Sequence, residues 1–218
     1  MTAAPVAEGS RSRWRPDPGR LAVLLLGLWL FGAGEGAVVG AGLGNSPWTV
    51  LAQGASRQVG LSVGEATIAI SFLVLLCWIP LRQAPGLGTI LNAVVVGLAV
   101  DATLAVLPGR PGGALRVVEL VGGIGLVAVG SGFYLGTELG PGPRDGLMTG
   151  LHRRTGRPLG AVRAGIELSA LAVGFSLGGT VGIGTLAFAL GIGPAVAWML
   201  RRRRVLSPPA RSDARGSR

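Results

Sequence analysis

The chain has 218 residues, of which 49% are hydrophobic and 14% charged, and its formal net charge of +10 comes from 20 arginines without any lysine. From Leu21 to Leu200 the apolar residues form long stretches that approach the ~20 residues needed to cross a bilayer. This pattern excludes an ordinary soluble domain and predicts an all-α integral membrane protein.

Hydropathy and helix breakers predict six transmembrane helices between two disordered tails, the basic N-terminal residues 1–20 and residues 205–218. The spans run roughly over 21–43, 65–81, 87–107, 115–138, 161–178 and 181–200. The last two are separate because the uncharged stretch from Leu168 to Leu200 would make one helix of ~50 Å, well beyond a ~30 Å hydrocarbon core. The pair Gly178-Gly179 offers a turn between them.

Loop charges predict the orientation of these spans. With the N-terminus in the cytoplasm, 17 of the 20 arginines lie in cytoplasmic segments, and only Arg57, Arg110 and Arg116 lie outside. The positive-inside rule therefore predicts that both termini are cytoplasmic. The same cytoplasmic clusters predict contact with anionic lipid headgroups, and the absence of a nucleic-acid fold signature argues against nucleic acid as a partner.

The sequence contains an internal repeat with an offset of 96 residues. Residues 27–98 match residues 123–194 at 21 of 72 positions without a gap, against roughly a tenth by chance in so glycine-rich a chain. Each repeat, 21–108 and 109–204, contains three spans, so the second must be inverted relative to the first. Inverted repeats are typical of secondary transporters, although a duplication that only builds a stable bundle would give the same pattern.

Each repeat also carries a short helix between its first and second spans. In both cases a glycine-rich turn leads to a proline, Pro47 or Pro143, at the expected first helical position. About ten residues follow, too few to span the membrane, so these helices are predicted to be interfacial or re-entrant. Short helices at matching places in two halves indicate a site, but ordinary connecting helices remain an alternative.

Several motifs carry a family resemblance. GLGNSPWTVLAQG, GLSVG and WIPLRQAPGLGT are followed by GPGPRDGLMTG and by Glu167 with its downstream glycines up to Gly179. Together they resemble the YczE-like branch of the YczE/YyaS/YitT group of bacterial integral membrane proteins, over about residues 25–200. The resemblance implies a multi-pass protein of the bacterial inner membrane and brings no biochemical activity with it.

Ionisable and polar residues within or beside the spans are the candidate substrate-binding or coupling residues, because such groups are costly in lipid and usually serve a cavity or a partner. These candidates are Glu35, Asp101, Asn45, Ser46, Arg144, Asp145, Arg163 and Glu167. Each has a structural alternative: Arg163 and Glu167 are spaced i, i+4 and can form a plain ion pair, and Asp145 can be a helix cap.

No enzyme signature, metal-ligand cluster or cofactor motif is present, which predicts no catalytic residues, no metal and no cofactor. Two functions remain. One is a permease for an unknown small molecule with alternating access between the two halves. The other is a non-transporting membrane partner that supports or regulates another complex. A homo-oligomer is compatible with either.

The predicted topology can be measured with reporter fusions. A reporter placed after Arg204 should be active on the cytoplasmic side, and one inserted near Arg110 should be active outside, because of the arginine distribution. A C-terminus outside the cytoplasm would contradict both the six-span arrangement and the inverted repeat.

Overall fold

The computed structural model describes residues 13–107 and 112–206, and the regular structure in these ranges is entirely helical. The helices are α1 (Pro18–Ala41), α2 (Pro47–Val59), α3 (Val63–Leu76), α4 (Trp78–Leu81), α5 (Leu87–Val106), α6 (Ala114–Leu135), α7 (Pro143–Thr155), α8 (Leu159–Ser176) and α9 (Ile183–Leu206). The parts of the predicted tails at 1–12 and 207–218, and the loop at Arg110, lie outside the described residues.

Six segments in the described ranges are long and apolar enough to cross a membrane, which confirms the predicted number of spans. They are Pro18–Ala41, Val63–Leu81, Leu87–Val106, Ala114–Leu135, Leu159–Ser176 and Ile183–Arg201. Large apolar side chains on their outer faces are exposed, as expected of helices whose solvent is lipid; Leu190, for example, is 77% exposed. The turn predicted at Gly178-Gly179 separates the last two spans.

Two helix boundaries differ from the prediction. Helix α1 begins at Pro18, inside the segment assigned to the N-terminal tail, because the Asp17 side chain accepts a hydrogen bond from the Arg20 backbone N–H at 3.0 Å. Helix α9 runs to Leu206, beyond the predicted end at 200. The short helices α2 and α7 have 13 residues each.

Two glycine-lined helices, α1 and α6, cross at the centre of the bundle. Gly34 lies against the backbone of Gly123, and Gly27 lies against the backbone of Gly130. Because the later residue on α1 contacts the earlier residue on α6, the two helices are antiparallel. A side chain at any of these glycines would collide with the facing backbone, which is why small residues allow this approach in lipid.

The two central helices also cap each other's ends. The Arg20 guanidinium donates a hydrogen bond to the Thr137 carbonyl oxygen, just beyond the end of α6. The Arg116 Nε–H donates to the carbonyl oxygen of Ala41, at the end of α1, at 2.8 Å. Arg20 and Arg116 are 96 residues apart, as are Ala41 and Thr137. Each arginine thus satisfies orphan carbonyls and complements the negative end of the other helix.

The loops that follow α1 and α6 accept hydrogen bonds from the beginnings of α9 and α5, respectively. The residues of these two contacts are again 96 positions apart. The Gly88 N–H donates to the Leu139 carbonyl oxygen at 3.0 Å, and the Gly184 N–H donates to the Leu43 carbonyl oxygen at 2.8 Å. The remaining helices pack around this frame: α5 on α1, α9 on α6, α3 on α5, α2 on α8, and α7 on α3, α4 and α8.

The central crossing gives a prediction about stability. Gly34→Ala should lower the melting temperature of the purified protein in detergent by several degrees, because the new methyl group would collide with the Gly123 carbonyl oxygen and overpacking costs about 1–3 kcal/mol. Gly125→Ala is the matched control on α6, where no neighbour lies within 4 Å. That variant should melt at the wild-type temperature or slightly higher, since alanine favours a helix. Equal effects of the two substitutions would contradict the described crossing.

Candidate functional site

A cavity of about 330 Å³ lies beside the central crossing and is bounded by all the helices except α4. Six of the eight candidate residues line it: Glu35, Ser46, Arg144, Asp145, Arg163 and Glu167. The rest of its wall is mostly apolar or aromatic, and includes Phe31, Trp48, Val96, Val127, Tyr134, Met148, Phe188 and Ile192. A mostly apolar concave site with a few converging polar groups is typical of a small-molecule site.

Glu35 on α1 is 2% exposed and lies at the beginning of α2. Its carboxylate accepts hydrogen bonds from the Thr49 Oγ1–H at 2.6 Å and from the Ser46 Oγ–H at 3.0 Å. Ser46 is also the N-cap of α2, where its Oγ accepts the Thr49 N–H at 3.4 Å. A buried carboxylate is costly in lipid, and here two hydroxyl donors and the positive end of a helix stabilise it.

The beginning of α7 faces the same cavity with different chemistry. Its N-cap position is Gly142, so no side chain caps the helix. Asp145 lies in the first turn, but its carboxylate accepts a hydrogen bond from the Tyr134 hydroxyl at 2.7 Å and does not serve as the N-cap. The Arg144 guanidinium lies over the Trp48 ring at 5.2 Å, which is a cation–π contact. Trp48 and Arg144 are equivalent residues of the 96-residue offset.

Helices α3 and α8 each contribute to the wall of the cavity. On α8 the Arg163 Nε and the Glu167 Oε1 form the predicted i, i+4 ion pair at 2.9 Å, with side chains 55% and 30% exposed. The residues 96 positions earlier, Thr67 and Ser71 on α3, also line the cavity. The same positions therefore face the site from both halves of the chain, charged on one side and neutral on the other.

The two other candidates, Asn45 and Asp101, are not among the residues that line this cavity. The Asn45 amide nitrogen donates to the Gln53 Oε1 at 3.0 Å, and its backbone N–H donates to the Thr180 carbonyl oxygen at 3.2 Å. Asn45 therefore connects the start of α2 to the α8–α9 turn.

Asp101 fastens α3 to α5. Its carboxylate accepts the Ser62 Oγ–H at 2.5 Å and the Gly64 N–H at 2.8 Å, at the beginning of α3. Close beside these bonds, Gly64 and Gly97 meet backbone to backbone, with no room for a methyl group on either. At this end the two helices are tightly closed.

The helices equivalent to α3 and α5 in the second half of the chain are α8 and α9, and they are not packed together at the corresponding end. Gly160 and Gly193 are 96 residues after Gly64 and Gly97, and nothing lies within 4 Å of the place where either would carry a Cβ. Ala197 replaces Asp101 and therefore has no carboxylate to fasten the two helices. The cavity extends along residues 193–200 of α9, but on α5 it stops at Val96.

Sequence reasoning missed Trp48 and Tyr134, which shape the site as much as the charged residues do. The signal for Trp48 was present, because it aligns with Arg144 in the internal repeat and follows the proline of its short helix. Tyr134 aligns with Val38, so the repeat alone gives no reason to select it. The described residues contain no group of three His, Cys, Asp or Glu side chains that could hold a metal ion.

Comparison with known proteins gives relatives without a described activity. Residues 18–201 match the model of a family of unknown function, DUF6198. An uncharacterized protein of Haemophilus influenzae is 40% identical over 87% of both chains. The uncharacterized membrane protein YczE of Bacillus subtilis is 32% identical over 70% of this chain and 72% of its own. The uncharacterized protein YyaS of the same organism is 30% identical over 74% and 82%. No solved structure matches the chain.

The environment of Glu35 can be tested with an isosteric substitution. Thr49→Val should lower the melting temperature in detergent, because the buried carboxylate loses its 2.6 Å donor at a cost of about 1–3 kcal/mol. The effect should be smaller in a Glu35→Ala background, where no carboxylate remains to be satisfied. Thr103→Val is the control, since the Thr103 hydroxyl bonds only within its own helix, to the Ala99 carbonyl oxygen. If Thr49→Val and Thr103→Val have the same effect in both backgrounds, the Thr49–Glu35 bond is not stabilising.

Proposed function

This chain belongs to the DUF6198 family of unknown function, and we propose that it is a small-molecule permease in which two inverted three-span repeats give alternating access to the cavity. The contacts between the halves support the repeat, because they occur in equivalent pairs. Adding 96 to the residue number in the first half and subtracting 96 from the residue number in the second half turns one contact of a pair into the other. Arg20 with Thr137 and Arg116 with Ala41 are one such pair of contacts. The antiparallel crossing of α1 and α6 supports an axis that lies in the membrane plane.

The short helices fit a re-entrant role in this proposal. Glu35 lies six residues before the end of α1, about 9 Å along the helix axis, and α2 begins beside it. This position supports a beginning of α2 within the depth of the span rather than beyond it. Broken or short helices whose N-termini reach into the membrane are typical of transporter sites.

We call the contact region of α3 with α5 around Gly64 and Gly97 the α3–α5 gate, and the equivalent region around Gly160 and Gly193 the α8–α9 gate. The difference between these two gates is the observation that carries the proposal. In the α3–α5 gate, Gly64 packs against Gly97, whereas in the α8–α9 gate the equivalent glycines have open space beside them. Two halves with the same glycine positions but different conformations are what alternating access requires. The second state follows by exchange: α8 closes on α9 while α3 moves away from α5, so the cavity opens on the other side.

The arginine distribution gives the side. With both termini in the cytoplasm of a bacterial inner membrane, the open α8–α9 gate faces the cytoplasm, and the closed α3–α5 gate faces outward. Transport of this kind involves no covalent step, so the protein is proposed not to be an enzyme.

Disulfide cross-linking tests the exchange without knowledge of the substrate. In a Cys77→Ser background, Ser62→Cys with Asp101→Cys should cross-link on mild oxidation, because the two side chains are in contact. Pro158→Cys with Ala197→Cys, the equivalent pair in the other half, should also cross-link in native membranes if α8 closes on α9. Single-cysteine variants control for links between molecules, and the links are measured by gel mobility.

A rigid protein gives a different result. If the Ser62–Asp101 pair cross-links fully while the Pro158–Ala197 pair never does, the α8–α9 gate does not close and alternating access is wrong. The non-transporting membrane partner would then be the better account of the fold. Cross-linking of both pairs in one population supports the permease.

A further inference from the structure

A gap between α8 and α9 opens the cavity towards the side of the bundle. Helix α9 begins close to the first half of the chain, where the Gly184 N–H donates to the Leu43 carbonyl oxygen at 2.8 Å. Farther along, α8 packs on α2 and α7 while α9 packs on α6, and no helix in the described ranges packs extensively on both. The cavity borders α9 from Ile192 to Leu200, about 12 Å along its axis. Because α8 and α9 are both membrane spans, a gap of this length between them faces lipid.

A charged pair lies beside this gap. Arg163 and Glu167 line the cavity from α8, and their side chains are 55% and 30% exposed. Helix α8 begins at Leu159, so the two residues lie about 6 and 12 Å along its axis, within the depth of the span. Charged groups at such depth are costly in hydrocarbon and usually face water or a polar partner. The gap therefore needs polar groups beside this pair, although lipid borders it.

The residues around the gap differ in character from one helix to the next. Those that α9 contributes to the cavity are mostly apolar, namely Phe188, Ile192, Val196, Ala197 and Leu200. Helix α8 contributes the charged pair, and the beginning of α7 contributes Arg144 and Asp145. An apolar wall next to charged groups suits a ligand that has both a hydrocarbon chain and a polar head.

The charged groups of the cavity have free capacity of both signs. They are three carboxylates and two guanidiniums, those of Glu35, Asp145, Glu167, Arg144 and Arg163. Within the described residues, Asp145 accepts a hydrogen bond only at Oδ2 and Glu167 only at Oε1, so one oxygen of each is free. The Arg144 guanidinium forms no salt bridge in the same part of the chain. A head group that carries both an amine and an oxyanion would find partners for each of its charges.

We infer that the gap between α8 and α9 admits an amphiphile from the membrane, whose zwitterionic head enters the cavity while its hydrocarbon chain stays between the two helices. The amine of the head faces the free oxygens of Asp145 and Glu167, and its oxyanion faces the guanidiniums of Arg144 and Arg163. The cavity has to hold only the head, for which about 330 Å³ is an ordinary volume. That the amphiphile is moved across the membrane rests on the proposed function; that it binds does not.

Binding can be measured by native mass spectrometry of the full-length protein from dodecyl maltoside micelles, which counts bound amphiphiles. Palmitoyl lysophosphatidylethanolamine, palmitoyl lysophosphatidylglycerol and monopalmitoylglycerol share one chain and have a zwitterionic, an anionic and a neutral head. Glycerophosphoethanolamine supplies the zwitterionic head without the chain. The lysophosphatidylethanolamine should bind at least about tenfold more tightly than each of the other three, because it alone satisfies both signs of charge and the apolar wall.

Two substitutions locate the bound amphiphile. Gly193→Leu fills open space beside the cavity, and it should weaken lysophosphatidylethanolamine binding at least about tenfold by excluding the chain. Gly122→Leu is the matched control, because Gly122 on α6 has equally open space and does not line the cavity.

The second substitution, Glu167→Gln, removes an acceptor for the amine and releases Arg163. It should lower the preference for lysophosphatidylethanolamine over lysophosphatidylglycerol about tenfold. Glu138→Gln, at an exposed carboxylate outside the cavity, should leave that preference unchanged. Melting temperatures establish that all four variants are folded.

Several outcomes would overturn the inference. Equal or tighter binding of glycerophosphoethanolamine would indicate a soluble zwitterion and no entry from lipid. Equal or tighter binding of the anionic or the neutral amphiphile would contradict a zwitterionic head. No binding of the lysophosphatidylethanolamine, or undiminished binding in folded Gly193→Leu, would show that no amphiphile occupies the gap.

Failure of the proposed function is distinguishable from failure of this inference. Amphiphile binding with a Pro158–Ala197 pair that never cross-links supports the site in the gap and rejects transport. Cross-linking of both cysteine pairs without amphiphile binding supports a permease for a soluble substrate and rejects the amphiphile.

Discussion

The close crossing of α1 and α6 is the constraint on which the rest of the structure depends. Helices in lipid gain no hydrophobic energy by associating, so they rely on close packing and on hydrogen bonds. The glycine contacts supply the packing, and Arg20 and Arg116 supply the hydrogen bonds at the two ends. Because α2 and α7 each fold back onto the span before them, through Glu35 with Ser46 and through Tyr134 with Asp145, the crossing brings both helix starts to one cavity.

Several helix starts and contacts recur at the 96-residue offset, but the residues that face the cavity differ between the two halves. Trp48 is matched by Arg144 and Glu35 by Ser131, so equivalent positions carry an aromatic ring and a guanidinium in one case, and a carboxylate and a hydroxyl in the other. The same divergence affects packing. Trp78 donates its Nε1–H to the Pro143 carbonyl oxygen at 3.0 Å and fills space beside α7, while its equivalent is a glycine. On the proposed architecture, symmetry provides two similar states, and divergence makes the single site between them selective.

Much of the fold could be predicted from sequence because lipid imposes simple rules. Length and hydropathy predict the spans, and the 96-residue offset predicts which segments correspond, down to Pro47 and Pro143 as first residues of the short helices. The contacts of Asp101 could not be predicted. A carboxylate inside a span satisfies itself equally well with a substrate, a cation or a helix N-terminus, and only the position of α3 selects the Ser62 hydroxyl and the Gly64 N–H. The Tyr134–Asp145 bond depends in the same way on how α7 folds back.

On the proposed alternating access, the ion pair on α8 gives a physical reason for the open arrangement of α8 and α9. Arg163 and Glu167 are half-exposed while α8 stands away from α9, so their charges remain partly solvated. Closing α8 on α9 would bury the pair, and the desolvation of two charges often exceeds their mutual attraction. The equivalent residues of the closed gate, Thr67 and Ser71, carry no charge and are buried without such a cost. On the proposed alternating access, closure of α8 on α9 therefore needs an interaction that offsets this desolvation.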